Sequence, residues 1–196
     1  MSSTIRPVLV LFAALTLLCG VLYPAAVTGI GRAAFPRQVD GSLIEAGGKT
    51  VGSSLIGQPF SRPGDFWGRP SGTAPMPANA AGSGASNLGP TNPALVDAVK
   101  QRVEALRQAD PGNHALTPVD LVTASASGLD PDISVAAAEY QAARIAAARG
   151  LAVGQVRTLI EAHRERPLLG FIGEPRVNVL ALNLALDGAA PRAKGH

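Results

Sequence analysis

Between Arg6 and Arg32 the chain reads PVLVLFAALTLLCGVLYPAAVTGIG, residues Pro7–Gly31, without one charged side chain. A bilayer core of about 30 Å needs roughly 20 apolar helical residues to cross it. This run therefore anchors the chain in a membrane or directs its export. A cleaved export signal has an apolar core of about 7–15 residues followed by small residues at the cleavage site. Here Leu17, Leu18, Val21, Leu22, Val27 and Ile30 carry the core past that length. Cys19 is preceded by the large Leu18, unlike a lipoprotein site. The run reads as a retained transmembrane anchor over 7–31. Stretch 70–96 also lacks charge, but it is rich in Gly, Pro, Ser and Asn.

Two arguments on orientation oppose each other. Arg6 lies on one side of the run, Arg32 and Arg37 on the other. By the positive-inside rule this favours an inner domain. Yet only six residues precede the run and a whole domain follows. That arrangement suits a signal-anchor with its C-terminal domain outside, which is the reading adopted.

Composition narrows the function. Charged residues are 16%, below the usual quarter or so, which points to surface covered by a partner. Net charge is +3 with no Lys/Arg cluster, so nucleic acid is not an expected partner. The sole cysteine, Cys19, lies in the apolar run, so the domain after it has no internal disulfide. His114, His163 and His196 are far apart in sequence and lack the spacing of a metal site.

Residues 35–56 read as short strands broken at Gly41-Ser42 and Gly47-Gly48. Segment 57–93 holds seven glycines and seven prolines, together with Phe60, Phe66 and Trp67. Disordered linkers are poor in aromatics, so the segment is expected to be irregular but ordered. Downstream the helices are clear. Asn92-Pro93 starts one carrying Leu95, Val96, Val99, Val103 and Leu106, and Asp110-Pro111-Gly112 stops it. Ser134 caps Val135–Arg149, which Gly150 ends. A third helix is expected from about Val153 to His163. Residues 177–186 alternate leucines like a strand, yet Leu and Ala prefer helix, and helix is favoured. The fold class is α+β: one transmembrane helix followed by a single mixed, helix-rich domain over 32–196.

Three words are rich in polar chemistry: Gly68-Arg69-Pro70-Ser71, then residues 83–92, then residues 123–134. Ser83, Ser86 and Asn87 run into a helix start, where backbone amides cradle anions or a turn simply caps the helix. Ser125, Ser127, Asp130 and Ser134 line a polar pocket or satisfy one another in a tight double turn. A nucleophilic serine needs a base and an orienting acid. Nothing places His114 or His163 near these serines, and no G-x-S-x-G elbow is present. Arg69, held extended by Pro70, stacks on Phe66 and Trp67 or meets a partner. Gln141 and Arg144 share a helix face, either solvated or turned to a ligand or partner. Thr16 and Gly20 are a small-xxx-small pair, with Pro24 four residues on. That face is expected to pack on a partner's membrane helices.

A set of short words spans nearly the whole chain in order. They include Leu22-Tyr23-Pro24, Asp40-Gly41-Ser42-Leu43, Val51-Gly52-Ser53 and Leu55-Ile56-Gly57-Gln58 with Phe60. Gly68-Arg69-Pro70-Ser71, Ser86-Asn87-Leu88-Gly89-Pro90-Thr91-Asn92 and Ser127-Gly128-Leu129-Asp130-Pro131 with Ile133-Ser134 follow. Gln141, Arg144, Arg149-Gly150, Gly173-Glu174-Pro175-Arg176-Val177-Asn178-Val179-Leu180 and Leu182-Asn183-Leu184-Ala185-Leu186-Asp187 complete them. Together they resemble the C-subunit family of the bacterial Kdp potassium-transporting ATPase. The chain departs from that family's pattern at Ala85 and Ala126, commonly glycine, at Asp132, often histidine, and at Gly72, often alanine.

The resemblance implies an accessory subunit beside a channel-like potassium-binding subunit and a P-type ATPase subunit, in the inner membrane with its N-terminus cytoplasmic. It implies a role in assembly and a catalytic-chaperone effect that raises the ATPase subunit's affinity for ATP. A role in gating the outer potassium entrance is compatible with it. No cofactor is expected to be bound firmly; ATP enters through the complex. The nucleotide or partner contacts expected are Ser83, Ser86, Asn87, Ser125, Ser127, Asp130, Gln141 and Arg144. The expected partner interface is Thr16, Gly20, Pro24 and Arg69. The rival reading is a membrane-anchored extracytoplasmic enzyme or binding module using the serine-rich words.

Overall fold

The apolar run folds as a helix because it lacks charge and is rich in Leu, Ala and Val. Its interruptions come from one proline. In the computed structural model, which describes residues 2–167 and 169–189, helix α1 (Ser2–Leu17) passes into a five-residue π-turn, Leu18–Leu22, and then into α2 (Tyr23–Ala34). Pro24 has no N–H, and its ring crowds the carbonyl four residues back. The wider π-turn ends two residues before it, at Leu22, a known way to absorb such a fault. Thr4–Ala34 is apolar enough to cross a membrane, with mean hydropathy 2.3 and none of its best window buried. At 1.5 Å per residue its 31 residues span about 46 Å.

The chain divides into two compact units, meeting at Val51 and Gly52. In the first, the long helix is followed by α3 (Pro36–Val39), a short helix where the sequence suggested strand. Pro36 sets the helical φ at N1, and Phe35 (φ −138°, ψ 57°) makes the corner. Strands β1 (Leu43–Ala46) and β2 (Lys49–Ser53) form a two-stranded sheet. Gly47 (φ +58°) and Gly48 (φ +73°) join them. Both signs are those of a tight two-residue hairpin turn, which glycine adopts without strain.

The second unit is built from α4 (Pro93–Ala109), β3 (Asp132–Ser134), α5 (Val135–Arg149), α6 (Val153–Ala162), β4 (Arg164–Glu165), β5 (Arg176–Asn178) and α7 (Val179–Ala189). The three strands form an antiparallel sheet in the order β3-β5-β4, with Ile133 opposite Val177 and Arg164 opposite Val177. Helix α6 packs on α5 and α7. Four alanines of α5 (Ala137, Ala138, Ala142 and Ala146) lie fully in the core, so neighbours on that side approach closely. Leu106, Leu121, Val156, Ile160, Leu182 and Leu186 fill the rest. The ambiguous stretch after 176 proves to be both things in turn. Val177 belongs to the central strand, and the leucines belong to α7, of which Leu180, Leu182 and Leu186 are buried. The sequence pattern does not show β3 and β4, because each is only two or three residues long and holds at most one apolar side chain.

Segment 57–93 is irregular and has one short 3-10 turn, Ala80–Gly82. It is nonetheless packed: Phe66 is fully buried within the core. The caps fall where expected. Asn92 Oδ1 accepts from Ala94 N at 2.9 Å, Ser134 Oγ from Ala137 N at 3.0 Å, and Gly150 closes α5 at φ +66°. Ser134→Ala should cost about 1 kcal/mol by chemical denaturation, and Ser134→Gly only a few tenths. Losses above 2 kcal/mol for both would show that the hydroxyl does more than cap.

Candidate functional site

The structure brings the three polar words together. Arg69 donates from Nη1 to Asp130 Oδ2 at 3.0 Å and from Nη2 to Ala124 O at 3.4 Å. Ser71 Oγ donates to Gly128 O at 2.7 Å, and Ser83 Oγ to Ser127 O at 3.0 Å. Gly84 N donates to the same Ser127 carbonyl at 2.9 Å. The serines of the third word serve its own turns. Ser125 Oγ accepts from Gly128 N at 3.0 Å, and Ser127 Oγ from Leu129 N at 3.1 Å. Asp130 Oδ1 accepts from Asp132 N at 3.1 Å. Gly128 must be glycine here. It has φ +68°, and a Cβ on it would stand 2.6 Å from Gly84 O. Ser86 and Asn87 are exposed on the loop before α4, with Asn87 at φ +52°, a conformation asparagine tolerates better than most residues.

Neither Ala85 nor Ala126 has positive φ, so alanine at either place carries no left-handed strain. A Cβ at Gly72 would come 2.9 Å from Ser86 N and 3.3 Å from Ala85 Cα. Gly72 and Ala85 thus face each other. A cavity of about 310 Å³ lies beside Trp67, Arg69 and Asp130, walled by Phe60, Pro70 and Val179.

A second cluster holds residues 62–67. Gln141 Oε1 accepts from Trp67 N at 2.8 Å, and Gln141 Nε2 donates to Trp67 O at 3.1 Å. Asn183 does the same for the preceding residue: Oδ1 accepts from Phe66 N at 2.8 Å, and Nδ2 donates to Phe66 O at 3.0 Å. The two amide side chains thus pair with consecutive backbone units as a neighbouring strand would. Arg144 donates to Pro63 O, to Asp65 O at 3.0 Å and to Gln141 Oε1 at 2.7 Å. Its guanidinium also lies 4.3 Å from the centre of the Trp67 ring. Burial lowers the Arg144 pKa to about 10, with Asp110 and Asp65 opposing the shift. It remains charged at neutral pH. Arg149 donates to Gly64 O at 2.6 Å and bridges Asp65 at 2.9 Å and Asp187 at 2.7 Å.

Two expectations need correction. The cation over Trp67 is Arg144, whereas Arg69 pairs with Asp130. Nor are Gln141 and Arg144 on a solvated face: they are 1% and 6% exposed. Their side of α5 faces the core and residues 62–67, so their hydrogen-bonding capacity went inward. Asn183, Arg149, Asp65 and Asp187 were missed as functional partners. For Arg149, Asn183 and Asp187 a signal was present, since they lie in helical register with buried apolar residues, but nothing in the sequence named the backbone they serve. Among the described residues no group of His, Cys, Asp and Glu is placed to hold a metal ion; His196 lies outside them. Burial, chiefly, raises the Asp132 pKa, against a hydrogen bond from Asn178 and the charge of Arg176.

These features define a mixed helix-and-sheet unit behind one membrane-length apolar helix, with its buried polar side chains spent on holding an irregular segment. Residues 5–188 match the family described as KdpC: K+-transporting ATPase, c chain. The chain is 68% identical over 190 residues to the potassium-transporting ATPase KdpC subunit of Variovorax paradoxus, covering 97% of this chain and 98% of that one. Identity is 64% over 187 residues to that of Herminiimonas arsenicoxydans, covering 95% and 98%. It is 61% over 191 residues to that of Methylibium petroleiphilum, covering 97% and 100%. The chain therefore belongs to the KdpC family, subunits of the K+-transporting ATPase.

The clamp yields a direct test. Trp67 is the sole tryptophan. Gln141→Leu and Asn183→Leu should each lower stability by about 1–3 kcal/mol, because buried amide groups lose their partners. Gln141→Leu should also shift Trp67 emission to longer wavelength. Unchanged emission and stability in both variants would contradict the clamp.

Proposed function

We propose that this subunit is a non-catalytic accessory component, anchored through the inner membrane by its N-terminal helix, with its N-terminus cytoplasmic. The domain from residue 32 onward lies on the extracytoplasmic side. It assembles with a channel-like potassium-binding subunit and a P-type ATPase subunit and stabilises their complex. Family membership supports the assignment. The observation that carries the anchoring is the helix Thr4–Ala34, 31 residues of high hydropathy with no buried face. Such a surface is unfavourable in water, where each fully exposed large apolar side chain forgoes about 1.5–3 kcal/mol of burial.

The subunit raises the ATPase subunit's affinity for ATP without holding nucleotide itself. A domain outside the membrane does not meet cytoplasmic ATP, so the effect is a linkage passed through the membrane subunits. The structure is in keeping with this. Ser83, Ser125, Ser127, Asp130, Gln141 and Arg144 all hydrogen-bond within the chain, and Ser86 and Asn87 lie on an exposed loop. Thr16, Gly20 and Pro24 supply the face for partner helices. The cavity rim at Arg69 is the outer domain's contact candidate, from which the subunit influences potassium entry. A reporter fused to the C-terminus should be active only when it requires the extracytoplasmic compartment. Activity of a reporter that works only in the cytoplasm would overturn this topology, and with it the indirect route to ATP.

A further inference from the structure

The π-turn diverts the ordinary helical donor of the Cys19 carbonyl. In an α-helix the Tyr23 amide would serve Cys19 O, but here it donates to Leu18 O. The next amide that a widened turn would offer Cys19 O belongs to residue 24, which is proline and has none. Gly20 follows directly; a Cβ built there meets nothing within 4 Å, so no side chain covers the backbone at this point. All of this lies near the middle of Thr4–Ala34. Backbone polar groups in hydrocarbon must be satisfied, and neighbouring helices commonly do this where proline frees a carbonyl. Interhelical contacts in membranes also favour small residues that allow close approach, and Gly20 with Thr16 provides them.

We propose that Cys19 O is the acceptor for a side-chain N–H or O–H donor carried by a membrane helix of another subunit of the complex. The proposal rests on the reading above that this face of the anchor meets partner helices. It goes further in giving the contact a chemistry. The partner helix presents a polar donor such as Ser, Thr, Asn, Gln, Tyr or Trp at the depth of the π-turn, within an otherwise apolar interface. Gly20 lets that donor reach the backbone, and Pro24 keeps the acceptor unspent. The proline and the glycine four residues before it thus act together.

The sole cysteine allows the test. Incorporating cysteine carrying 13C at its carbonyl into this subunit alone marks a single peptide group. Isotope-edited infrared spectra are then compared for the full chain in bilayers by itself and reconstituted with its unlabelled partner subunits. The labelled band should move to lower frequency on assembly. In Pro24→Ala, which restores the missing amide, it should lie low in both states, and assembly should weaken. An identical band with and without partners would overturn the proposal. Gly20→Leu separates this from the underlying reading. If it blocks assembly while the wild-type band does not move, the docking face stands and the carbonyl contact falls. If it assembles normally, the docking face itself falls, and the proposal with it.

Discussion

Everything in the second unit depends on how two side-chain amides hold two consecutive peptide groups. Gln141 from α5 and Asn183 from α7 each give one donor and one acceptor to the backbone of Trp67 and Phe66. Segment 57–93 has too many glycines and prolines to make its own ladder, so its polar backbone would be costly to bury unaided. Each net hydrogen bond contributes only about 1 kcal/mol, but each buried group left without a partner costs about 1–3 kcal/mol. The clamp therefore decides whether Phe66 enters the core. Its full burial adds about 1.5–3 kcal/mol.

The charged residues around this clamp secure it from behind. Arg144 and Arg149 take the carbonyls of Pro63, Gly64 and Asp65, and Asp65 and Asp187 neutralise Arg149. Removing one partner from such a buried pair typically costs about 3–5 kcal/mol. Fixing residues 62–67 in turn positions Arg69, which pairs with Asp130 and brings residues 123–130 and 83–84 against the same edge. The polar words, separate in sequence, become one surface because of contacts made some residues earlier. This gives the unit a shaped outer face without internal disulfides.

Local signals were well legible in the sequence. The caps at Asn92 and Ser134, the stop at Gly150 and the turn at Gly47-Gly48 each follow from the chemistry of a single residue type. The order of segment 57–93 was legible from its aromatics. What holds it was not. Gln141 and Arg144 stood out only as neighbours on a helix face, and their partners lie more than 70 residues away in sequence. Periodicity reports that a side is polar; it does not report which distant backbone needs those hydrogen bonds. The same limit applied to Arg69, whose proximity to Phe66 and Trp67 in sequence suggested stacking that Arg144 performs in space. In the apolar run, Pro24 was legible only as part of a packing face, and the five-residue turn before it was not legible at all.

On this account two parts of the chain have separate tasks: an apolar helix long enough to cross a membrane, and a unit whose buried polar residues shape an irregular surface. The most direct measurement of its central claim is amide hydrogen exchange at Phe66 and Trp67 in the full-length subunit. Both amides should exchange as slowly as those in the middle of α5, since they are held by side chains of the same core. Exchange at rates typical of an open loop, with α5 still protected, would contradict it.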